Sequence, residues 1–145
     1  MRSKTANQPL FQFSQNDVKI QKRSTKYQGF VKLDELHLSH ELYQGGHSDT
    51  YSREIFDRGD AVVLLPYDPV EDVIVFNEQF RPGAVGSSSF DNGESPWLLE
   101  FVAGMFGENE SPIEVAIREA KEEANLDIPE KDIIKIMKYF SSPGG

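Results

Sequence analysis

The sequence predicts a mixed α/β chain of the α+β kind, on the scale of one ordinary domain. Two observations carry that expectation. Short apolar runs, several of them alternating and punctuated by Gly, Pro, Asn and Asp, occupy residues 18–103 and 133–140. Between them lies one amphipathic helix with a full start signal at residues 111–126. A chain of 145 residues that folds as a single domain buries about 70% of its unfolded surface.

Residues 1 to about 16 are polar and expected to be loose. Val18 and Ile20 alternate with Lys19 and Gln21, which suggests a short strand. Gly29 opens a second one, Phe30-Val31-Lys32-Leu33, whose apolar phase shifts at Asp34-Glu35 to Leu36 and Leu38; a β-bulge there would explain the shift. A turn at Gln44-Gly45-Gly46 leads to a third strand, Thr50 to Phe56, and Asp57-Arg58-Gly59-Asp60 breaks the pattern as a candidate boundary. The continuous run Ala61-Val62-Val63-Leu64-Leu65 reads as a central strand, with Val73–Phe76 as its hairpin partner across the Asp68-Pro69 turn. Gly83–Ser95, rich in Gly, Ser, Asn and Asp, reads as a flexible loop. Trp97–Ala103 and Ile133–Phe140 read as further strands, and no internal repeat is visible.

The segment Gly104–Leu126 carries the chemistry. Ser111 is a good N-cap, Pro112 suits the first helical position and Glu114 completes a capping box. Ile113, Ile117, Ala120 and Ala124 recur as one buried stripe, and Glu119, Glu122 and Glu123 are expected on the side away from it. Like charges at this spacing cost a few tenths of a kcal/mol per pair, roughly. A hard divalent cation such as Mg²⁺ or Mn²⁺, which also binds phosphate oxygens, reverses that sign. Glutamates on an amphipathic helix also form plain solvated faces. What favours the metal is the set of fixed offsets to Gly104, Glu110 and Arg118.

Gly104, Glu110, Arg118, Glu119, Ala120, Glu122, Glu123 and Leu126 match the Nudix box: glycine, five residues, Glu, seven residues, then Arg-Glu-apolar-x-Glu-Glu-x-Gly-apolar. Asn125 stands where the pattern has glycine, and Asn is the best substitute for Gly at a left-handed helix end. With SPWLLEFVAGMFGENES, REIFDRGDAVVLLPYDP and the terminal SSPGG, the chain from about Val18 to Gly145 resembles the bacterial ADP-ribose pyrophosphatase branch of the Nudix hydrolases. The resemblance implies a Nudix-type α/β/α sandwich around a mixed sheet (58–145), C-terminally incomplete. It also implies an N-terminal antiparallel sheet (1–57) that exchanges across a homodimer and shares substrate. The implied reaction is Mg²⁺-dependent hydrolysis of ADP-ribose to AMP and ribose 5-phosphate. Two alternatives stand beside it: hydrolysis of another nucleoside diphosphate sugar, or a truncated, catalytically dead dimeric binding module.

Carried over residue by residue, the resemblance gives Glu119, Glu122 and Glu123 catalytic roles. The carbonyl of Ala103 with Glu119 and Glu123 would hold Mg²⁺, for which Mn²⁺ can substitute, and Glu110 with Arg118 would make a structural ion pair. Phe30, Val31, Arg53, Glu54, Arg58, Arg81, Met105, Ser142, Pro143 and Gly144 correspond to substrate-contacting positions. Arg81, at the end of NEQFR, has an independent case, because a guanidinium at a strand end can fork onto phosphate oxygens. The family continues past the position of Gly145 with a loop carrying a glutamate general base and a further metal-binding carboxylate. On this reading the chain is truncated, and those two residues cannot be assigned.

Composition bounds the partners. With 24 acidic against 15 basic residues, net charge −9, the chain lacks the basic footprint that nonspecific nucleic-acid binding needs and is repelled from anionic membranes. There is no cysteine for a disulfide framework or a thiolate zinc site. No signal-peptide or transmembrane run occurs, so a soluble cytoplasmic protein is expected. His37 and His40, three apart in a strand, point to opposite faces, and with His47 they are read as surface residues rather than zinc ligands.

Overall fold

The computed structural model describes residues 12–85, 95–141 and 143. They fall into two compact units that divide between Arg58 and Gly59, with residue 140 onward grouped with the first. Much of the loose N-terminus expected from the sequence, residues 86–94 of the Gly-Ser loop, and Ser142, Gly144 and Gly145 lie outside the described residues.

The first unit is an antiparallel meander of β1 (Val18–Gln28), β2 (Lys32–His40) and β3 (Tyr51–Asp57), in the order β1-β2-β3. The first strand is far longer than the Val18-Ile20 pattern suggested, because its outer phase is written in Lys, Arg, Ser and Thr rather than in apolar residues. Phe30 and Val31 sit in the turn before β2, not in the strand. A bulge exists, but on the partner. Gln21 and Lys26 are the extra residues of β1, while β2 pairs with β3 in unbroken register through Asp34↔Ile55 and Glu35↔Glu54. Gly45 and Gly46, at φ +92 and +78, turn the chain between β2 and β3 in a conformation that L side chains rarely adopt.

Charge, not apolar packing, locks this sheet. Asp34 is fully buried. Its carboxylate accepts from Arg23 Nε at 2.6 Å, Lys32 Nζ at 2.7 Å and Thr25 Oγ1 at 2.7 Å, Thr25 being its cross-strand partner on β1. A buried carboxylate is tolerated only when paired and hydrogen-bonded in this way. The Lys32 ammonium, the Thr25 hydroxyl and the Arg23 guanidinium together hold its pKa down, from the ordinary 3.8 to about 2.

The second unit comprises three two-stranded ladders and a helix. β4 (Ala61–Leu64) pairs with β9 (Val102–Met105), β5 (Tyr67–Asp68) with β6 (Val73–Ile74), and β7 (Asn77–Phe80) with β8 (Trp97–Glu100). α1 (Pro112–Ala124) packs on β9 and β4. The partner of β4 is therefore β9, and Val73-Ile74 joins only the short Tyr67-Asp68 strand. The expected Trp97–Ala103 strand is broken at Phe101 into β8 and β9, which face different partners. Residues 133–140 form no strand: a ladder requires a partner, and none among the described residues pairs with them. Ile134, Ile136, Met137, Tyr139 and Phe140 are exposed.

The molecule is thus α+β, with an N-terminal antiparallel sheet and, among the described residues, one α-helix. Every ladder among the described residues is antiparallel. The core of the second unit is small: Val102, Val115, Ala116 and Ala120 at the helix–β9 contact, with Ala84. No helix among the described residues is long and apolar enough to cross a membrane.

Asp34 sets an acid limit on the first unit. Its folded pKa is depressed, so the unfolded chain binds more protons between the two values and stability rises with pH there. The contribution is complete above about pH 4 and is lost as pH falls through about 2. Asp34→Asn is expected to lower Tm at pH 7 by roughly 5 °C. Melts from pH 5 down to 2 should show the gap to the parent narrowing steadily; a gap independent of pH would contradict this account.

Candidate functional site

The acidic helix starts as its sequence dictates. Ser111 Oγ accepts from Glu114 N at 3.3 Å, and Glu114 Oε2 accepts from Ser111 N at 2.8 Å, with Pro112 at the first helical position. At the other end Asn125 adopts the left-handed conformation, φ 52 and ψ 33, and Leu126 N donates to Ala120 O at 3.0 Å. Asn thus does what glycine does in the box pattern.

The helix is rotated from the stripe expected. Ala120 is buried as expected, but the other buried residues are Val115 and Ala116, whereas Ile113, Ile117 and Ala124 are only half-buried. That brings Glu119 and Glu123 toward the sheet. The Glu119 side chain is 13% exposed and Glu122, which points outward, 59%. Glu123 Oε2 accepts from Ala103 N at 3.1 Å and from Asn77 Nδ2 at 3.4 Å. The Glu119 carboxylate lies directly against Gly104, where a Cβ would overlap it. The glycine of the box is therefore needed for clearance, to let a helix carboxylate reach the strand backbone.

Arg118 supplies the counter-charge. Its Nε donates to Glu110 Oε1 at 2.8 Å, Nη2 to Glu110 Oε2 at 2.9 Å and to Met105 O at 3.1 Å, and Nη1 to Glu119 Oε1 at 2.6 Å and Glu122 Oε2 at 3.2 Å. Glu110 Oε2 also accepts from Gly107 N at 2.6 Å. The Arg118 guanidinium, with that backbone N–H, drives the Glu110 pKa from its ordinary 4.5 to about 2. Glu110, and after it Glu119, raises that of Arg118. Among the described residues, Oε2 of Glu119 and Oε1 of Glu123 accept no hydrogen bond. Nor do three His, Asp or Glu side chains converge there as a ready-made metal cage. What is offered is two carboxylates beside the Ala103–Gly104 backbone.

Arg81 lies at the end of β7 and forks onto Glu100: Nε donates to Oε1 at 3.0 Å and Oε2 at 2.9 Å, Nη2 to Oε2 at 2.5 Å. The bidentate carboxylate raises the Arg81 pKa. Glu100 and Asn77 escaped the reading of the sequence. For Glu100 a signal was present, as the polar residue on the inward phase of an otherwise apolar strand; Asn77, in the largely polar Asn77–Phe80 strand, gave none.

In the first unit, the β2–β3 register pairs Lys32 with Asp57. This brings the Phe30-Val31 turn and Arg58 to one end of the sheet. Phe30 is 84% exposed there. Arg53 and Glu54 lie mid-strand, opposite Leu36 and Glu35, and the Arg53 guanidinium stacks 4.8 Å from the centroid of the Tyr51 ring. Met105 ends β9, and Pro143 is exposed. Of the histidines, His37 lies 3.3 Å from Glu35, His40 Nδ1 2.8 Å from Glu41 O, and His47 3.7 Å from Glu41.

The sequence pattern of the NUDIX domain matches residues 57–145. The chain belongs to the NUDIX family. It is 48% identical over 133 residues to an ADP-ribose pyrophosphatase of Escherichia coli K12, covering 92% of this chain and 60% of that protein. It is 39% identical over 133 residues to an ADP-ribose pyrophosphatase of Haemophilus influenzae, covering 92% and 59%. A GDP-mannose pyrophosphatase of Salmonella arizonae is 37% identical over 97 residues, 66% of this chain and 46% of that protein. The chain spans about 60% of the length of the ADP-ribose pyrophosphatases it matches.

The clearance role of the NUDIX glycine can be tested directly. Gly104→Ala must push the flexible end of Glu119 off β9, so a structure of the variant should show that carboxylate displaced. Because only a mobile side-chain end moves, Tm should change by no more than about 3 °C, within the range of a surface substitution. An unmoved Glu119 in the variant would refute the clearance role.

Proposed function

We propose that this chain serves the metal-dependent hydrolysis of the diphosphate bond of ADP-ribose, giving AMP and ribose 5-phosphate. The observation that carries the reading is the approach of Glu119 and Glu123 to the Ala103–Gly104 backbone, each with one oxygen that accepts no hydrogen bond from the described residues. Membership in the NUDIX family and the names of the relatives at 48% and 39% identity support it.

The donor set is all hard oxygen, which suits Mg²⁺, with Mn²⁺ as a substitute. Glu119, Glu123 and the Ala103 carbonyl are the proposed ligands, and Glu122 assists. When bound, such a cation neutralises diphosphate charge and lowers the pKa of an attacking water. The chain's own residues do the rest. Arg118 holds Glu119 in place, and Ala103 N–H and Asn77 fix one oxygen of Glu123. Arg81 binds the diphosphate, with Met105 and the Ser142-Pro143-Gly144 segment as further contacts. Phe30 offers an open aromatic face to adenine, and Val31, Arg53, Glu54 and Arg58 complete the substrate contacts of the first unit. We assign residues 1–57 to dimerisation and substrate sharing and 58–145 to the hydrolase, in the cytoplasm, with neither nucleic acid nor membrane as a partner. A second reading, hydrolysis of another nucleoside diphosphate sugar, is favoured by the likeness to a GDP-mannose pyrophosphatase.

Steady-state assays with ADP-ribose and GDP-mannose separate the two readings, turnover of ADP-ribose alone being expected. In the same protein, Glu119→Gln and Glu123→Gln should each weaken Mg²⁺ binding sharply, because each removes a charged hard ligand, whereas Glu114→Gln, a capping residue, should leave it unchanged. Equal affinities by titration calorimetry would remove the metal assignment.

Assembly is checked separately. The exchanged-sheet reading makes the protein a homodimer at tens of micromolar, well above the dissociation constant of an obligate dimer, by order of magnitude. Sedimentation velocity should show one dimeric species, and a monomer would count against shared pockets.

A further inference from the structure

We propose that Glu100 is a positioning residue for Arg81, and that it sets the guanidinium so its free edge meets an anionic diphosphate. The inference rests on the reading of Arg81 as the diphosphate-binding arginine and adds a residue that reading does not contain. Glu100 takes the Nε–Nη2 edge of Arg81 with both carboxylate oxygens. The remaining N–H groups, those of Nη1 among them, donate to no other described residue. A guanidinium has five N–H donors in a rigid plane, so fixing one edge also fixes the direction of the other.

The backbone makes the pair stiff. Arg81 N donates to Pro96 O at 2.9 Å, and Asn77 stands directly opposite Glu100 in the β7–β8 ladder. Asn77, Glu100 and Arg81 share one face of that ladder, and Asn77 Nδ2 reaches Glu123 Oε2 at 3.4 Å. The arginine is thereby held in the same polar row as a helix carboxylate. With side-chain exposures of 44% for Arg81 and 26% for Glu100, the arginine is the more open member of the pair and remains accessible to a solvent-borne anion.

A negative charge beside an anion-binding arginine can act in two opposite ways. As a positioner it strengthens binding by saving the entropy of orienting the fork; as a competitor it weakens binding by repulsion and by occupying donors. The two roles predict opposite signs. The test is calorimetric titration of ADP-ribose, in EDTA to keep metal out, into the 145-residue chain and its Arg81→Ala, Glu100→Ala, Glu100→Gln and double Ala variants. Positioning requires Arg81→Ala and Glu100→Ala each to weaken binding about tenfold, the loss expected of one charged hydrogen bond. The double variant should be no weaker than Arg81→Ala alone. Glu100→Gln, whose amide oxygen still accepts from Nε–H, should bind within about threefold of the parent.

Unchanged or tighter binding by Glu100→Ala, or additive losses in the double variant, would overturn the proposal while leaving the reading of Arg81 intact. Absence of any effect of Arg81→Ala would overturn that reading and the proposal with it. Should Glu100→Ala fail to fold, Glu100→Asp replaces it. Its shorter side chain withdraws the carboxylate, so weaker binding is expected and parent-like binding would overturn the proposal.

Discussion

The guanidinium of Arg118 is the constraint on which the acidic end of the second unit depends. It reaches Glu110 on the loop before the helix, Glu119 and Glu122 on the helix, and the carbonyl of Met105 at the end of β9. Three backbone segments are thus joined by one side chain. Lysine could not replace it, since a point charge on a flexible stem cannot satisfy a fork to Glu110 while donating in two other directions. Among the described residues, full apolar burial at the same junction is limited to Val102, Val115, Ala116 and Ala120, so directional charge interactions carry a larger share of the specificity than in an ordinary core. The pattern repeats in the first unit, where Asp34 gathers Arg23, Lys32 and Thr25 across β1 and β2.

The order of the acidic residues follows from that hub. Helix carboxylates at i, i+3 and i+4 repel one another, yet here each is tied by a hydrogen-bond donor, two of them by the same guanidinium. Glu119 is held by Arg118, Glu122 by the same arginine from the solvent side, and Glu123 by Ala103 N–H and Asn77. The repulsion is met within the protein by fixing one oxygen of each inward carboxylate and leaving the other open. Under the proposed metal role, that arrangement would leave little further ordering for a hard cation to impose. It also explains why the box glycine must be a glycine, because any side chain at 104 would take the space of the Glu119 carboxylate.

Local signals in the sequence were legible where the physics is local. The capping box of Ser111 and Glu114, Pro112 at the helix start, Asn125 in the left-handed region and the Gly45-Gly46 turn all appear as read, because each depends on a few adjacent residues. Strand pairing was not legible in the same way. Ala61–Leu64 pairs with Val102–Met105, some forty residues away, and not with the apolar run that follows it. Residues 133–140 have the composition of a strand but no partner among the described residues. Hydrophobic phase fixes which face a strand buries and leaves open which strand it meets. The helix rotation was legible only in part for a related reason: Ala120 is buried as the stripe required, but beside it the close contact with β9 takes Val115 and the small Ala116 rather than Ile113 and Ile117.

The same distinction governs the candidate site. The box residues were found because their offsets are fixed by one loop and one helix, and the turn between β9 and α1 can bring them together in only a few ways. Glu100 and Asn77 belong to a different class. Each is unremarkable in sequence and becomes meaningful only when the β7–β8 ladder sets them opposite one another, beside Arg81 and within reach of Glu123. A polar residue on the inward phase of an apolar strand is costly to bury without a partner, so its presence is itself a sign that a partner exists. In Trp97-Leu98-Leu99-Glu100 the inward glutamate implied a cation, and the cation proved to be the arginine four residues beyond Asn77. Reading inward polar positions as half of an unseen pair therefore extends sequence analysis from motifs to the residues that hold motifs in place.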